Sequence, residues 1–546
     1  MKSPLIEDLN QWPISKLSVQ RDEFVQQVIK DVDRQFNHLG SLELDQALSK
    51  TIFQERQRVK SNPWKADPPN EAAYFKKLLK EYNESKESEI SFQKNKESTH
   101  RLIHRYTEEI AGSFTIPTFH FARKILSRFF EVVYNPLSFS IFYSTKKLQG
   151  RLSKKMIING EIDLVRKLFP GNSIVLVPTH SSNLDSILVG FMSHAFGGMP
   201  AFTYGAGLNL FDSEFFAFFM NRLGAYRVDR RKKNPIYLNT LSTYSRLIVE
   251  KGVNMIFFPG GTRSRSGEVE TKLKLGLLNA VLLAQRNLLE RKDSRKVIIV
   301  PVVIGYESVL EARSLILQHL RASGQEKFIV REKNSPIKEY INFIWGLIKK
   351  ESKVYLTFGQ PIDVFGNAVN DQGKSIHHLG GEIHLEDYFI REEMFVHDSQ
   401  RESIYTKELA ESIVSQYRKF NFITPSHLVS FCAFRFFKNR HHGIDDIALV
   451  QLPEEEFNFS IDEFEVFVQE VINNLQSLEK QKKVTLSEEL YKSVQDIIQE
   501  GINRAGIFHN RKVLFVENNR LQSDDLFTLY YYYNKLVNLE SEIFEH

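Results

Sequence analysis

Four short apolar runs rich in β-branched residues, at 174–177, 255–258, 297–304 and 354–358, constrain the fold of this chain more than any other feature. Between them, stretches at 186–196, 237–250 and 273–289 repeat apolar residues at helical spacing. Parallel strands need a crossover connection, and a helix is the usual one. Strand-helix alternation therefore predicts an α/β fold with a mostly parallel central sheet flanked by helices. Each run gives way to polar, Gly or Pro residues, and ligands of such sheets bind beyond the carboxyl ends of the strands. Chemistry is expected at those junctions.

The chain has 546 residues, too many for one ordinary domain. We expect an N-terminal helical region and linker over 1–110, an α/β domain over 111–365 and a mainly helical domain over 366–546. In the first region, 22–39 has helical spacing, 60–69 is broken by three prolines, and the charged segment 86–101 suits a solvated surface helix or linker. At 119–133, Phe119, Ala122, Ile125, Leu126, Phe129, Phe130 and Val133 form a stripe, with Arg123, Lys124 and Arg128 on the remaining face. Such a basic amphipathic helix suits either packing on the next domain or contact with a membrane. The tail 526–539, with its tyrosines at 530–533, predicts a buried helix.

Apolar residues at 42% and charged residues at 25% exclude wholesale disorder and a polytopic membrane protein. The single cysteine, Cys432, excludes an intrachain disulfide framework and any multi-cysteine metal site, and fits a reducing compartment. No apolar run reaches the 18 or so residues of a membrane-spanning helix, and the first residues lack the apolar core of a signal peptide. A cytoplasmic protein, free or peripheral on the membrane, is expected. A net charge of +5 suits acidic small molecules or an anionic membrane surface, with no nucleic acid partner.

The junction after the first run reads VPTHSSNLDSILVG. If Ser182 or Asn183 caps a helix here, His180 lies in the preceding turn and Asp185 in the first helical turn, within reach of its ring. A carboxylate that orients an imidazole and stabilises its protonated form makes histidine a competent base toward an alcohol. The same spacing recurs at His441 and Asp446, without a preceding strand, and is expected to be incidental. After the second run comes FFPGGTRSRSG, whose Gly260 and Gly261 let a ligand approach the backbone, while Arg263 and Arg265 offer forked donors to a phosphate. Between these blocks, GAYRVDRRKK gathers Arg227, Arg230, Arg231, Lys232 and Lys233 after the aromatic Phe215, Phe216, Phe218 and Phe219. A third junction, VPVVIGYESVLEAR, holds Gly305, Tyr306 and Glu307. His377, His378, His384 and Glu382 form a histidine-rich segment of loop composition, with no scaffold for a metal.

Together these blocks resemble the glycerolipid acyltransferases, most closely the glycerol-3-phosphate O-acyltransferases. In these, H-x4-D is followed by a GAxxxxR block, a GGRSRTG-like block and a PxxIGYExVxE block. Here the blocks run from His180 to Asp185, Gly224 to Arg230, Gly261 to Gly267 and Pro301 to Glu311, and the resemblance extends to VYLTFGQPIDV and PSHLVSFCAF. It implies His180 as general base with Asp185 as its partner. It further implies phosphate binding by Arg230, Gly261, Arg263, Ser264, Arg265 and Lys274, the last in KLKLG. One departure stands out: Gly260 occupies the place where the family usually has glutamate, and FPGGTRS is similar in part to the lysophosphatidate acyltransferases.

The implied activity is transfer of an acyl group from acyl-CoA or acyl-carrier protein to the sn-1 hydroxyl of glycerol 3-phosphate, without metal or cofactor. Dihydroxyacetone phosphate and lysophosphatidate are alternative acceptors. A metal-dependent hydrolase at the histidine-rich segment and a non-catalytic membrane-surface protein are the readings from other classes. Apolar surface around 114–133 is expected to attach the protein to the membrane.

Overall fold

The computed structural model describes residues 1–64, 67–85, 90–134, 145–208, 214–322, 352–392 and 394–544. Part of the charged segment, 86–89, and the side chains of Val133, Phe215 and Phe216 lie outside the described residues.

Seven strands form the central sheet: β1 (Met156–Gly160), β2 (Ser173–Pro178), β3 (Thr203–Gly207), β4 (Ala225–Val228), β5 (Met255–Ile256), β6 (Val297–Tyr306) and β7 (Val354–Phe358). Their order is β1-β7-β6-β2-β5-β3-β4. Every pairing is parallel except β6 with β7, so the mostly parallel α/β sheet expected from the alternation is present. The four apolar runs became β2, β5, β6 and β7. Strands β1, β3 and β4 escaped the pattern because they are short and interrupted, β1 by Asn159 and Gly160, β3 by Gly205 and Gly207, and β4 by Arg227.

Every residue of β2 and β6 is buried, which explains why both read as continuous apolar runs rather than alternating ones. Alternation survives in where the side chains go. Ile174 and Leu176 point into one core with Ile298, Val300 and Val302; Val175 and Val177 point into the other with Val297 and Ile299. The first core continues without a break into the helices Pro425–Arg440, Ile461–Lys480 and Leu526–Tyr533. The second continues into the N-terminal helices Arg21–Asn37, Ser41–Ser61, Glu71–Ser85 and Ser91–Ile110. The N-terminal helices are therefore packed on the sheet layer, and the last of them buries Asn95, Ser98 and Thr99 where a solvated surface helix or linker was expected.

The amphipathic stripe likewise turns inward on the helix Ile116–Tyr134, with Ala122 and Phe130 both buried. Its exposed aromatic is Phe121, stacked on Phe219 near the exposed Phe218. The tyrosine tail forms the helix Leu526–Tyr533, whose Tyr531, Tyr532 and Tyr533 have no exposed surface. Among the described residues no helix is long and apolar enough to cross a membrane.

Burial holds His194, His427 and His509 neutral, each pushed down to about 4. At these three residues the folded chain binds fewer protons than the unfolded chain, so the stability they contribute is lost as pH falls from about 6.5 toward 4. Denaturation at pH 7.5 and pH 5 is expected to show about 2 kcal/mol lost per histidine at the lower pH.

Candidate active site

The carboxyl ends of β2, β3, β4 and β5 converge on one cleft, as the topology of an open α/β sheet predicts. Its volume is about 330 Å³, and its lining includes His180, Gly205, Leu208, Val228, Phe258, Arg230, Arg263 and Arg265.

His180 leaves the end of β2 and Asp185 opens the helix Asp185–Ala195. The expected cap by Ser182 or Asn183 gives way to a different device, in which Asp185 folds its own side chain back over the turn. Its Oδ2 accepts from the Ser181 N–H at 2.6 Å and the Ser182 N–H at 2.8 Å, and meets His180 Nδ1 at 2.8 Å. Its Oδ1 accepts from the Tyr306 hydroxyl at 2.5 Å. Fully buried, this carboxylate is satisfied on every side, which compensates its loss of water. His180 is thereby held through Nδ1, with 16% of its side chain exposed on the cleft side and its ring 4.5 Å from that of Phe258. Such an imidazole is set up to take a proton at Nε2.

The loop after β5 is tied to the same turn. The Ser264 N–H donates to the His180 carbonyl at 2.7 Å, while its hydroxyl donates to the Glu268 carbonyl. Gly261 has φ +77, a conformation that favours glycine, and its N–H closes a turn onto the Phe258 carbonyl. Gly261 therefore shapes the loop with its N–H engaged. The N–H groups of Thr262 and Arg263, in contrast, make no hydrogen bond among the described residues.

Lys274 lies across Gly261, its Cγ 3.1 Å from where a Cβ at 261 would sit, and is not among the cleft-lining residues. Gly260 has a comparable neighbour. A Cβ there would approach Glu270 Cγ to 3.0 Å, and Glu270 Oε1 accepts from the His180 N–H at 2.6 Å. The carboxylate missing at 260 is thus answered by one that arrives ten residues later.

The cationic block after β4 separates into two groups. Arg231 pairs with Asp229 and Asp67, and the fully buried Lys232 Nζ lies 2.7 Å from Glu109. These two cations anchor the N-terminal helices. Arg230 projects into the cleft, and neither it nor Arg265 forms an ion pair among the described residues. Arg263 Nη1 lies 3.7 Å from Glu311, which also accepts from the Ser182 hydroxyl at 2.9 Å and the Asn183 N–H at 3.1 Å.

Tyr306, Glu311, Glu270 and Trp64, which also lines the cleft, were not singled out as site residues in the sequence reading. The first two sit inside the fourth and last matched block, where the block itself is the signal. The other two have no local signal, because only tertiary packing brings them in.

The second H-x4-D pair does not form: His441 Nδ1 contacts the Phe437 carbonyl and Asp446 pairs with Lys438. In the histidine-rich segment, Glu382 pairs with Lys374 on the surface. No group of three potential metal ligands is found among the described residues. Cys432 is buried on its helix, away from the cleft lining.

Comparison with known proteins points the same way. Residues 161–305 match the family model described as Acyltransferase. The chain is 28% identical over 263 residues to the glycerol-3-phosphate acyltransferase of Pseudomonas putida (strain W619), covering 48% of this chain and 28% of that protein. It is 29% identical over 281 residues to that of Pseudomonas aeruginosa (strain UCBPP-PA14), covering 51% of this chain and 29% of the relative. The matched part is therefore less than a third of the length of these relatives. The family-model match runs from β2 to the penultimate residue of β6 and includes the His180–Asp185 pair. The α/β layer that carries this site is thus similar to acyltransferases, and among the curated relatives to glycerol-3-phosphate acyltransferases.

Proposed function

We propose that the protein transfers an acyl group from acyl-CoA or acyl-carrier protein to the sn-1 hydroxyl of glycerol 3-phosphate, giving lysophosphatidate for phospholipid synthesis. The carrying observation is the His180 imidazole, held through Nδ1 by a fully buried aspartate, opening into a cleft where Arg230 and Arg265 have no ion-pair partner among the described residues. A base alone would suit many reactions; a base beside a built anion site suits an alcohol that carries a phosphate.

Arg230 and Arg265, with Arg263, hold the phosphate through forked donors. His180 Nε2 takes the proton as the hydroxyl oxygen attacks the thioester carbonyl. The N–H groups of Thr262 and Arg263, which have no other acceptor among the described residues, stabilise the charge that develops on the carbonyl oxygen. The tetrahedral intermediate then collapses, the C–S bond breaks, and the thiolate recovers the proton from His180. Asp185 stabilises the imidazolium between these two transfers. Ser264 and Lys274 act on loop shape. No step requires a metal or cofactor.

The test is a panel of acyl-CoA and acyl-carrier protein against glycerol 3-phosphate, dihydroxyacetone phosphate and lysophosphatidate, run on the purified chain and on Arg230→Ala. Turnover is expected to be fastest with glycerol 3-phosphate, and Arg230→Ala to raise its KM about 10- to 100-fold, the loss of one charge-assisted contact. Preference for another acceptor overturns the assignment.

The reading also includes peripheral attachment to the cytoplasmic face of the membrane, through exposed Phe121 and Phe218 with Arg222 beside them. Absence of flotation with anionic vesicles would count against it.

A further inference from the structure

The C-terminal lobe touches the junctions that follow β2, β5 and β6. Tyr532 OH accepts from the Val309 N–H at 2.9 Å, and His427 Nε2 meets the Tyr306 carbonyl at 2.8 Å, immediately behind the tyrosine that holds Asp185. On the anion loop, Asn534 Nδ2 donates to the Ser266 carbonyl at 2.9 Å, and the Tyr531 carbonyl would lie 2.1 Å from a Cβ at Gly267. Only glycine admits that approach.

At the centre of these contacts is Lys535, in the turn that follows the helix Leu526–Tyr533, with 8% of its surface exposed. A lysine this buried needs a reason. Its Nζ donates to Ser181 Oγ at 3.4 Å and lies 5.6 Å from the Tyr531 ring centre. The charges that act on it are Glu270 and Asp185. Both carboxylates hold the same turn: Asp185 takes the Ser181 and Ser182 N–H groups and the imidazole, and Glu270 takes the His180 N–H. Two carboxylates side by side in a partly dry site repel each other, and Lys535 is the cation that faces both. Burial pushes the Glu270 carboxyl up to about 7 and pushes the Lys535 ammonium down, as expected where each depends on the other for its charge.

We propose that Lys535 and Glu270 clamp the turn at residues 180–182 from behind, so that the C-terminal lobe is a positioning element of the active site. Lys535 touches no reacting atom in this arrangement. It fixes the backbone on which the base is mounted, across 354 positions of sequence. The kinetic part of this inference rests on the acyl-transfer reading; the structural part does not.

Amide hydrogen exchange read by mass spectrometry on the full chain, together with steady-state kinetics, tests it. In Lys535→Met, amides at 180–182 are expected to exchange at least about tenfold faster while those of β6 remain as protected as before, since local opening is separable from global unfolding. In the same variant kcat is expected to fall about tenfold at little changed KM for glycerol 3-phosphate, and Lys535→Arg to recover most of it. Unchanged exchange at 180–182 in folded Lys535→Met overturns the clamp, as does equal acceleration across the sheet. If Lys535→Met does not fold, Glu270→Ala decides the same point by removing the acceptor of the His180 N–H. A wild-type chain inactive with every acyl donor would sink the proposed function and leave the exchange result standing.

Discussion

Replacing His180 with alanine is expected to lower kcat/KM for acyl transfer by about 10² to 10⁴-fold, the range a positioned general base supplies, while the chain still folds. Loss of activity alone would be uninformative if the variant unfolded, so the surroundings of the ring matter. Asp185 loses one partner but keeps the Ser181 and Ser182 N–H groups and the Tyr306 hydroxyl, so no bare carboxylate is left in the interior. The imidazole lies at the edge of an existing cleft, and its removal enlarges that cleft rather than opening a hole in the core.

Asp185→Asn is a harsher change to structure, because the amide group then presents N–H donors to a nest of donors at the start of the helix. His180→Ala thus separates chemistry from folding better. Initial rates with acyl-CoA and glycerol 3-phosphate, set beside a thermal melt, check it. A folded His180→Ala protein that retained more than about a tenth of the wild-type rate would remove histidine from the proposed mechanism.

What could be read from sequence follows the range of the interactions concerned. β2 and β6 were legible because full burial on both faces forces a continuous apolar run, and the H-x4-D turn because both partners lie within one strand-helix junction. β3 and β4 were not, since edge positions and glycines weaken the pattern on which a strand assignment depends. The cationic block was legible as charge but not as function. Arg230, Arg231 and Lys232 are neighbours in sequence, yet Arg230 has no ion-pair partner among the described residues while Arg231 and Lys232 are held by Asp67 and Glu109, more than a hundred residues earlier. Glu270 and Lys535 lie at the far end of the same scale. Each is an isolated charged residue whose role exists only once the anion loop and the C-terminal lobe have folded around the turn that carries His180.

Lys232→Met is expected to cost about 3–5 kcal/mol of stability, the amount usually lost when one partner of a buried ion pair is removed. The ammonium has no exposed surface, lies 2.7 Å from Glu109 and 3.6 Å from Glu71, and sits 5.0 Å from the Tyr106 ring centre. Methionine fills nearly the same volume, so packing is largely kept; what remains is Glu109 without its cation, while Glu71 keeps Arg58 and Arg105. Burial already raises Glu109 above the ordinary carboxylate range even with Lys232 beside it. In the variant that rise is larger, which fixes the sign of the pH dependence. A carboxyl with a raised folded pKa contributes stability that is fully present below the unfolded value and is lost as pH rises through the folded one. The deficit of Lys232→Met should therefore be greatest at pH 8 and shrink toward pH 5. Adding Glu109→Gln should recover part of the loss at pH 8 and little at pH 5, because a neutral side chain then replaces one that protonation would already have neutralised. Denaturant midpoints of the four proteins of this cycle at the two pH values check it, and a deficit independent of pH would show that Lys232 matters for shape alone. The same network holds Arg231 and so sets the backbone on which Arg230 enters the cleft. A loss at Lys232 should for that reason also reach the phosphate site, as a raised KM at temperatures where the variant is still folded.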